Sequence, residues 1–157
     1  MVSIAIKPGV LKYNSGDSIF EQQIMDMEQT DGNTFRINLY EFNLPGEWKV
    51  LAGRTDEDND ILSLKLADPK DYWFHVRGMP GSHVILRAKP DEDPDRDTIK
   101  KAASIAAYHS KARKGGMVPV SCTRAQYVTK PRGVKPGTVR IKKEILLKVR
   151  PSNFTQE

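Results

Sequence analysis

The 157 residues fit one domain, with room to bury about two thirds of the surface an unfolded chain of that size exposes. The single cysteine, Cys122, excludes an internal disulfide and a cysteine-rich zinc site, and no segment reaches the roughly 20 apolar residues of a membrane span. Net charge is only +5, but it is unevenly placed: residues 1–97 sum to −7 and residues 98–157 to +12. Sixty residues dominated by one sign read as a face for a polyanion, with nucleic acid as the first expectation and an acidic protein or membrane surface as the alternatives. The chain carries no signal-peptide pattern, so a soluble cytoplasmic protein without membrane contact is expected.

In chain order, residues 1–34 are the least legible. Ser18 and Glu21 have capping-box spacing, and Phe20, Ile24 and Met27 share one face, which predicts a helix over Ser18 to Gln29. Alternation from Phe35 to Phe42 predicts a strand. Asn43-Leu44-Pro45-Gly46 supplies a turn, and Trp48 to Gly53 the antiparallel return. The polar run Thr55 to Asp60 is expected to cap a short helix from Ile61 to Ala67, which Pro69 stops.

The central unit follows. In Tyr72 to Arg77 the even positions are apolar and the odd face carries Trp73, His75 and Arg77; in the run to Ala88, His83 and Arg87 share a face with Ile85. A hairpin across Gly78 to Ser82 that sets Arg77 opposite His83 aligns both apolar rows. It predicts one buried face and one open face bearing Trp73, His75, Arg77, His83 and Arg87. A small-residue helix, Ile99 to Arg113, is expected next, capped by Asp97 or Thr98, with Lys111, Arg113 and Lys114 at its end, where the helix dipole favours cations. Strands are expected at 117–124, 126–130, 138–142 and 145–149, and a frayed tail from Asn153. The predicted class is α+β: a single domain whose mixed or mainly antiparallel sheet packs on one principal alanine-rich helix, with short accessory helices.

The candidate phosphate-binding set is Arg77, Arg87, Lys111, Arg113, Lys114, Lys130, Arg132 and Lys135, the last three on a loop stiffened by Pro131 and Pro136. Trp73 and Tyr108 are the aromatic groups able to stack on an unpaired base, with the core as the competing place for Trp73. His75, His83 and His109 could serve an RNA-processing or RNA-modifying enzyme, yet no spacing enforces catalysis and no carboxylate stands near to complete a metal site; for His75 and His83 the expectation is structural hydrogen bonding or contact with RNA, beside Arg77 at the edge of the phosphate-binding face. No metal or other cofactor is expected, and the glycine pattern matches no nucleotide-binding fingerprint.

Four motifs then carry a resemblance: Gly53-Arg54 with Asn59-Asp60; Trp73-Phe74-His75 with Pro80-Gly81-Ser82-His83-Val84; Ala106 to Arg113; and Lys130-Pro131 with Lys135-Pro136-Gly137. In this order, over about residues 35–151, the chain resembles the RNA-binding domain of the NFACT family, found in ribosome-quality-control factors once described as fibronectin-binding proteins. The resemblance implies an α+β, non-enzymatic module that binds RNA, tRNA or rRNA, alongside the ribosome or tRNA-modification proteins. It divides the chain into an extension, 1–34, the module, 35–151, and a tail, 152–157. His109 stands where the family usually places a second tyrosine.

Overall fold

The architecture comes from a computed structural model that describes residues 2–6 and 35–154, so the helix expected over Ser18 to Gln29 lies outside the described residues. Seven strands form one antiparallel sheet: β1 (Val2–Ile6), β2 (Phe35–Leu44), β3 (Trp48–Gly53), β4 (Tyr72–Val76), β5 (Val84–Leu86), β6 (Val118–Arg124) and β9 (Ile145–Val149). Their spatial order is β1-β2-β3-β5-β4-β6-β9, and β7 (Val128–Thr129) and β8 (Arg140–Ile141) make a separate hairpin. Helix α1 (Asp56–Ile61) runs into a π-helical turn (Leu62–Leu66), and α2 (Arg96–Tyr108) is the principal helix. Among the described residues no helix is long and apolar enough to cross a membrane. The α+β class and the dominance of one alanine-rich helix are as the sequence predicts.

Both faces of the central strands are buried, which corrects the expected open face. On one side Phe74, Val76, Val84 and Val120 pack under α2, whose Ala102, Ala103, Ala106 and Ala107 are fully buried and let its backbone lie close to the sheet. On the other, Ile37, Leu51, Trp73 and Ile85 meet Leu62 and Leu66 of the π-helical turn and Val128 of β7. Burying a side chain such as Phe74 contributes about 2–3 kcal/mol, so each layer is a core in its own right.

Four local expectations are corrected. The central hairpin pairs Trp73 with Ile85 and Phe74 with Val84, two residues away from the register with Arg77 opposite His83. Because both rows are apolar, a two-residue shift keeps every side chain on its face and costs the pattern nothing. Helix α1 begins at Asp56, not Ile61, because Thr55 and Asp58 form a reciprocal capping box. Helix α2 begins after Asp95, whose side chain accepts from the Thr98 N–H, and ends at Tyr108, so Lys111, Arg113 and Lys114 lie beyond its last turn. Past β9, Phe154 packs against the core and the Ser152 N–H donates to the Ser104 carbonyl, so the chain is docked through residue 154.

Candidate functional site

The motifs noted above converge on one seam. After Tyr108 the chain leaves helical geometry because Gly81 and Ser110 form an antiparallel bridge: the Ser82 N–H donates to the His109 carbonyl at 2.9 Å, and the Lys111 N–H to the Pro80 carbonyl at 3.1 Å. The approach requires glycine, since a Cβ on Gly81 would stand 2.7 Å from that of Ser110. Ser110 Oγ donates to the Ala107 carbonyl at 2.7 Å and accepts from the Ala112 N–H at 3.0 Å, which closes the turn.

Across the seam, Ser82 Oγ donates to the Gly53 carbonyl at 2.6 Å, and Asn59 Oδ1 accepts from the His83 N–H at 3.0 Å. Asp60 fastens the proline-stiffened loop: its carboxylate accepts from the Gly137 N–H at 3.0 Å and pairs with Lys130 Nζ at 3.0 Å. Lys130 Nζ also donates to the carbonyls of Lys135 and Thr138, at 2.8 and 2.9 Å. Lys130 is therefore a clamp within the protein, with little left to offer a ligand.

Two clefts flank the seam. The first, of 520 Å³, lies between the end of α2, the Pro80–Ser82 turn and the corner after β3; Tyr40, Arg54, Asp56, His109, Lys111 and Arg113 line it. His109 stacks on Tyr40 with ring centres 4.7 Å apart, and the Arg54 guanidinium lies 5.1 Å from the Tyr40 ring centre. Burial pushes the His109 imidazole down to about 4, helped by Arg113, and its Nε2 is buried without a hydrogen-bond partner. At neutral pH the ring is uncharged.

The second cleft, of 370 Å³, contains His75, His83, Arg77 and Glu144 beside the apolar Val139 and Ile141. His83 is 2% exposed and fully engaged. Its Nε2 faces the Gly137 carbonyl at 3.2 Å, which can only accept, so Nε2 carries the proton. Ser63 Oγ accepts from Trp73 Nε1 at 2.9 Å and lies 2.7 Å from His83 Nδ1, to which it donates. Burial, followed by the charge of His75, pushes His83 down to about 4, and burial lowers His75 as well. His83 is thus a neutral structural link between sheet and loop. His109 lines the other cleft, and the three histidines do not form one catalytic group.

The cations expected on one face are divided. Lys111 and Arg113 are exposed at the first cleft, with Arg113 Nε donating to the Tyr108 carbonyl at 2.8 Å and its guanidinium 4.2 Å from the Tyr108 ring centre, and Lys114 is exposed next to them in the chain. Arg132 and Lys135 are exposed on the clamped loop. Arg77 is exposed at the second cleft, 3.8 Å from Glu144. Trp73 and Arg87 do not reach the surface. Arg87 is 4% exposed, paired with Asp71 at 3.0 Å, because desolvated charges need a partner in the interior. Arg54 and Tyr40 line the first cleft although neither was among the residues expected there; the available signal was Gly53-Arg54, one of the four motifs, at the end of β3.

A family model described as "NFACT protein RNA binding domain" matches residues 39–143. A protein of Bacillus subtilis named Rqc2 homolog RqcH is 43% identical over 57% of this chain and 15% of its own length. The Streptococcus suis protein of the same name is 33% identical over 94% of this chain and 24% of its own. Among solved structures, the C-terminal part of the fibronectin/fibrinogen-binding protein from Streptococcus suis aligns with a TM-score of 0.69 and 32% identity, over 87% of this chain and 56% of that one. The chain therefore spans a quarter or less of the length of these two curated relatives. With the family model covering the seam, the first cleft and all of the second but Glu144, the chain belongs to the family of NFACT-protein RNA-binding domains.

Proposed function

We propose that this domain is a non-enzymatic module that grips the phosphates of a structured RNA, tRNA or rRNA, through Lys111, Arg113 and Lys114, joined by Arg132 and Lys135. Its setting is the ribosome in the cytoplasm. The observation that carries the reading is the run Lys111–Lys114, whose exposed cations follow a backbone pinned to the Pro80–Ser82 turn by two hydrogen bonds. Cations on a backbone already held in place lose less freedom on binding. The family description and the relatives named Rqc2 homolog RqcH support RNA and a ribosomal partner, respectively.

Each phosphate neutralised adds about 0.7–0.9 to the slope of log affinity against log salt. Titrating tRNA and an rRNA fragment across salt should give a slope of roughly −2 to −4 for the preferred RNA. Affinity that does not change with salt for either RNA overturns the mechanism.

A further inference from the structure

We propose that the first cleft receives one unpaired nucleotide of the bound RNA, its phosphate toward Lys111 and Arg113 and its sugar and base toward Tyr40, Arg54 and Asp56. The inference rests on the RNA-binding reading and adds which part of the RNA the cleft selects: a single-stranded end or an extruded nucleotide.

Size is the first argument. The cleft opens to solvent, and its volume of 520 Å³ is of the size that takes a small organic ligand, about 300–1,000 Å³, so a single nucleotide can enter it from outside. Chemistry is the second. His109, Tyr40 and Arg54 form a layered stack, with separations of 4.7 and 5.1 Å, and aromatic rings and guanidinium planes are the surfaces on which unstacked bases settle. His109 brings no charge to that stack, so the positive charge of the lining belongs to Arg54, Lys111 and Arg113.

The lining is also divided by sign. Lys111 and Arg113 attract phosphate, whereas the Asp56 carboxylate repels it and accepts hydrogen bonds only, which suits a ribose hydroxyl. In the second cleft the one arginine, Arg77, faces Glu144 at 3.8 Å, so its charge is matched from within the protein. The backbone around the first cleft is set beforehand, because the His109 carbonyl and the Lys111 N–H are both bonded to the Pro80–Ser82 turn.

The test compares one RNA hairpin in blunt form with the same hairpin carrying a three-nucleotide overhang at either end, and adenosine monophosphate as a free nucleotide. The overhang should tighten binding about tenfold, the gain expected for stacking one base. In Arg54→Ala, checked for an unchanged urea midpoint, that advantage should shrink to less than about twofold. A 2-aminopurine in the overhang should be quenched by the native protein and less so by the variant. Equal affinity for blunt and overhanging hairpins overturns the inference and leaves the RNA-binding reading standing. Tight binding of the free nucleotide with no overhang advantage overturns it in favour of a mononucleotide site. Failure of every RNA to bind removes the underlying reading as well.

Discussion

A methyl group on Gly53 would stand 2.1 Å from Asn59 Oδ1, the atom that receives the His83 N–H. No L side chain fits that gap, and Asn59 cannot retreat without releasing His83 and opening the seam between β3, β5 and α1. Gly53→Ala should therefore cost about 1–3 kcal/mol, the range for overpacking a well-filled interior. For a domain of this size that lowers Tm by roughly 2–4 °C per kcal/mol. Gly78→Ala is the comparison: nothing lies within 4 Å of the added carbon, and only its φ of +78° resists, at about 1 kcal/mol. Urea denaturation of both variants checks this, and a Gly53→Ala midpoint equal to that of the native protein would sink it.

The locked histidine gives a pH dependence with a definite sign. His83 is held down to about 4 in the fold and titrates near 6.5 once unfolded. Between those values the unfolded chain takes up a proton that the folded protein refuses, so stability is full above pH 6.5 and falls as pH drops toward 4. The loss due to His83 alone at pH 5 is on the order of 2 kcal/mol. His109, also held at about 4, acts in the same direction, with its contribution reduced by partial exposure. Urea midpoints at pH 7 and pH 5 measure the combined slope. His83→Gln should be less stable at pH 7 and show a flatter dependence, and a native protein equally stable at both pH values would contradict the assignment.

The alternating runs of β2, β4 and β9 were legible, and Ile145–Val149 was placed to the residue, whereas β1, whose Val2, Ile4 and Ile6 also alternate, was not, and of the strands expected at 126–130 and 138–142 only Val128–Thr129 and Arg140–Ile141 pair. The covering of the second face was not legible. Ile85 and Trp73 already hinted at it, but the layer that covers them comes from Leu62, Leu66 and Val128, short segments whose pattern carries no direction. The five-residue β1 pairs with β2 across a long intervening segment, and no local signal announces such a partner. Helix α2 was extended five residues too far because Ser110 continues the small-residue stripe of Ala102, Ala103 and Ala106. What stops it is a bridge to Gly81, a contact made only after the hairpin has folded.

Charge pattern was legible as composition and misleading as geometry. Lys130, Arg87 and Lys114 look alike in sequence, yet one clamps a loop, one is buried against Asp71 and one stands in solvent. The family motifs explain why: Gly53, Asn59, Asp60, Gly81, Ser110 and Lys130 are all occupied with holding the seam.

That division yields the sharpest prediction, because stability and RNA affinity should separate between two lysines. Lys114 is exposed, so Lys114→Ala should leave the urea midpoint within about 0.5 kcal/mol of native and reduce the salt slope for RNA by about 0.7–0.9. Lys130 gives its ammonium to Asp60 and two carbonyls, so Lys130→Ala should cost about 1–3 kcal/mol, chiefly from the unpaired Asp60 and freed loop. Amide exchange of residues 132–138 should rise, while the salt slope changes by less than about 0.3, below one phosphate contact. If Lys130→Ala instead lowers the slope by a full contact at unchanged stability, the clamp opens for RNA. The loop then belongs to the binding surface and not to its support.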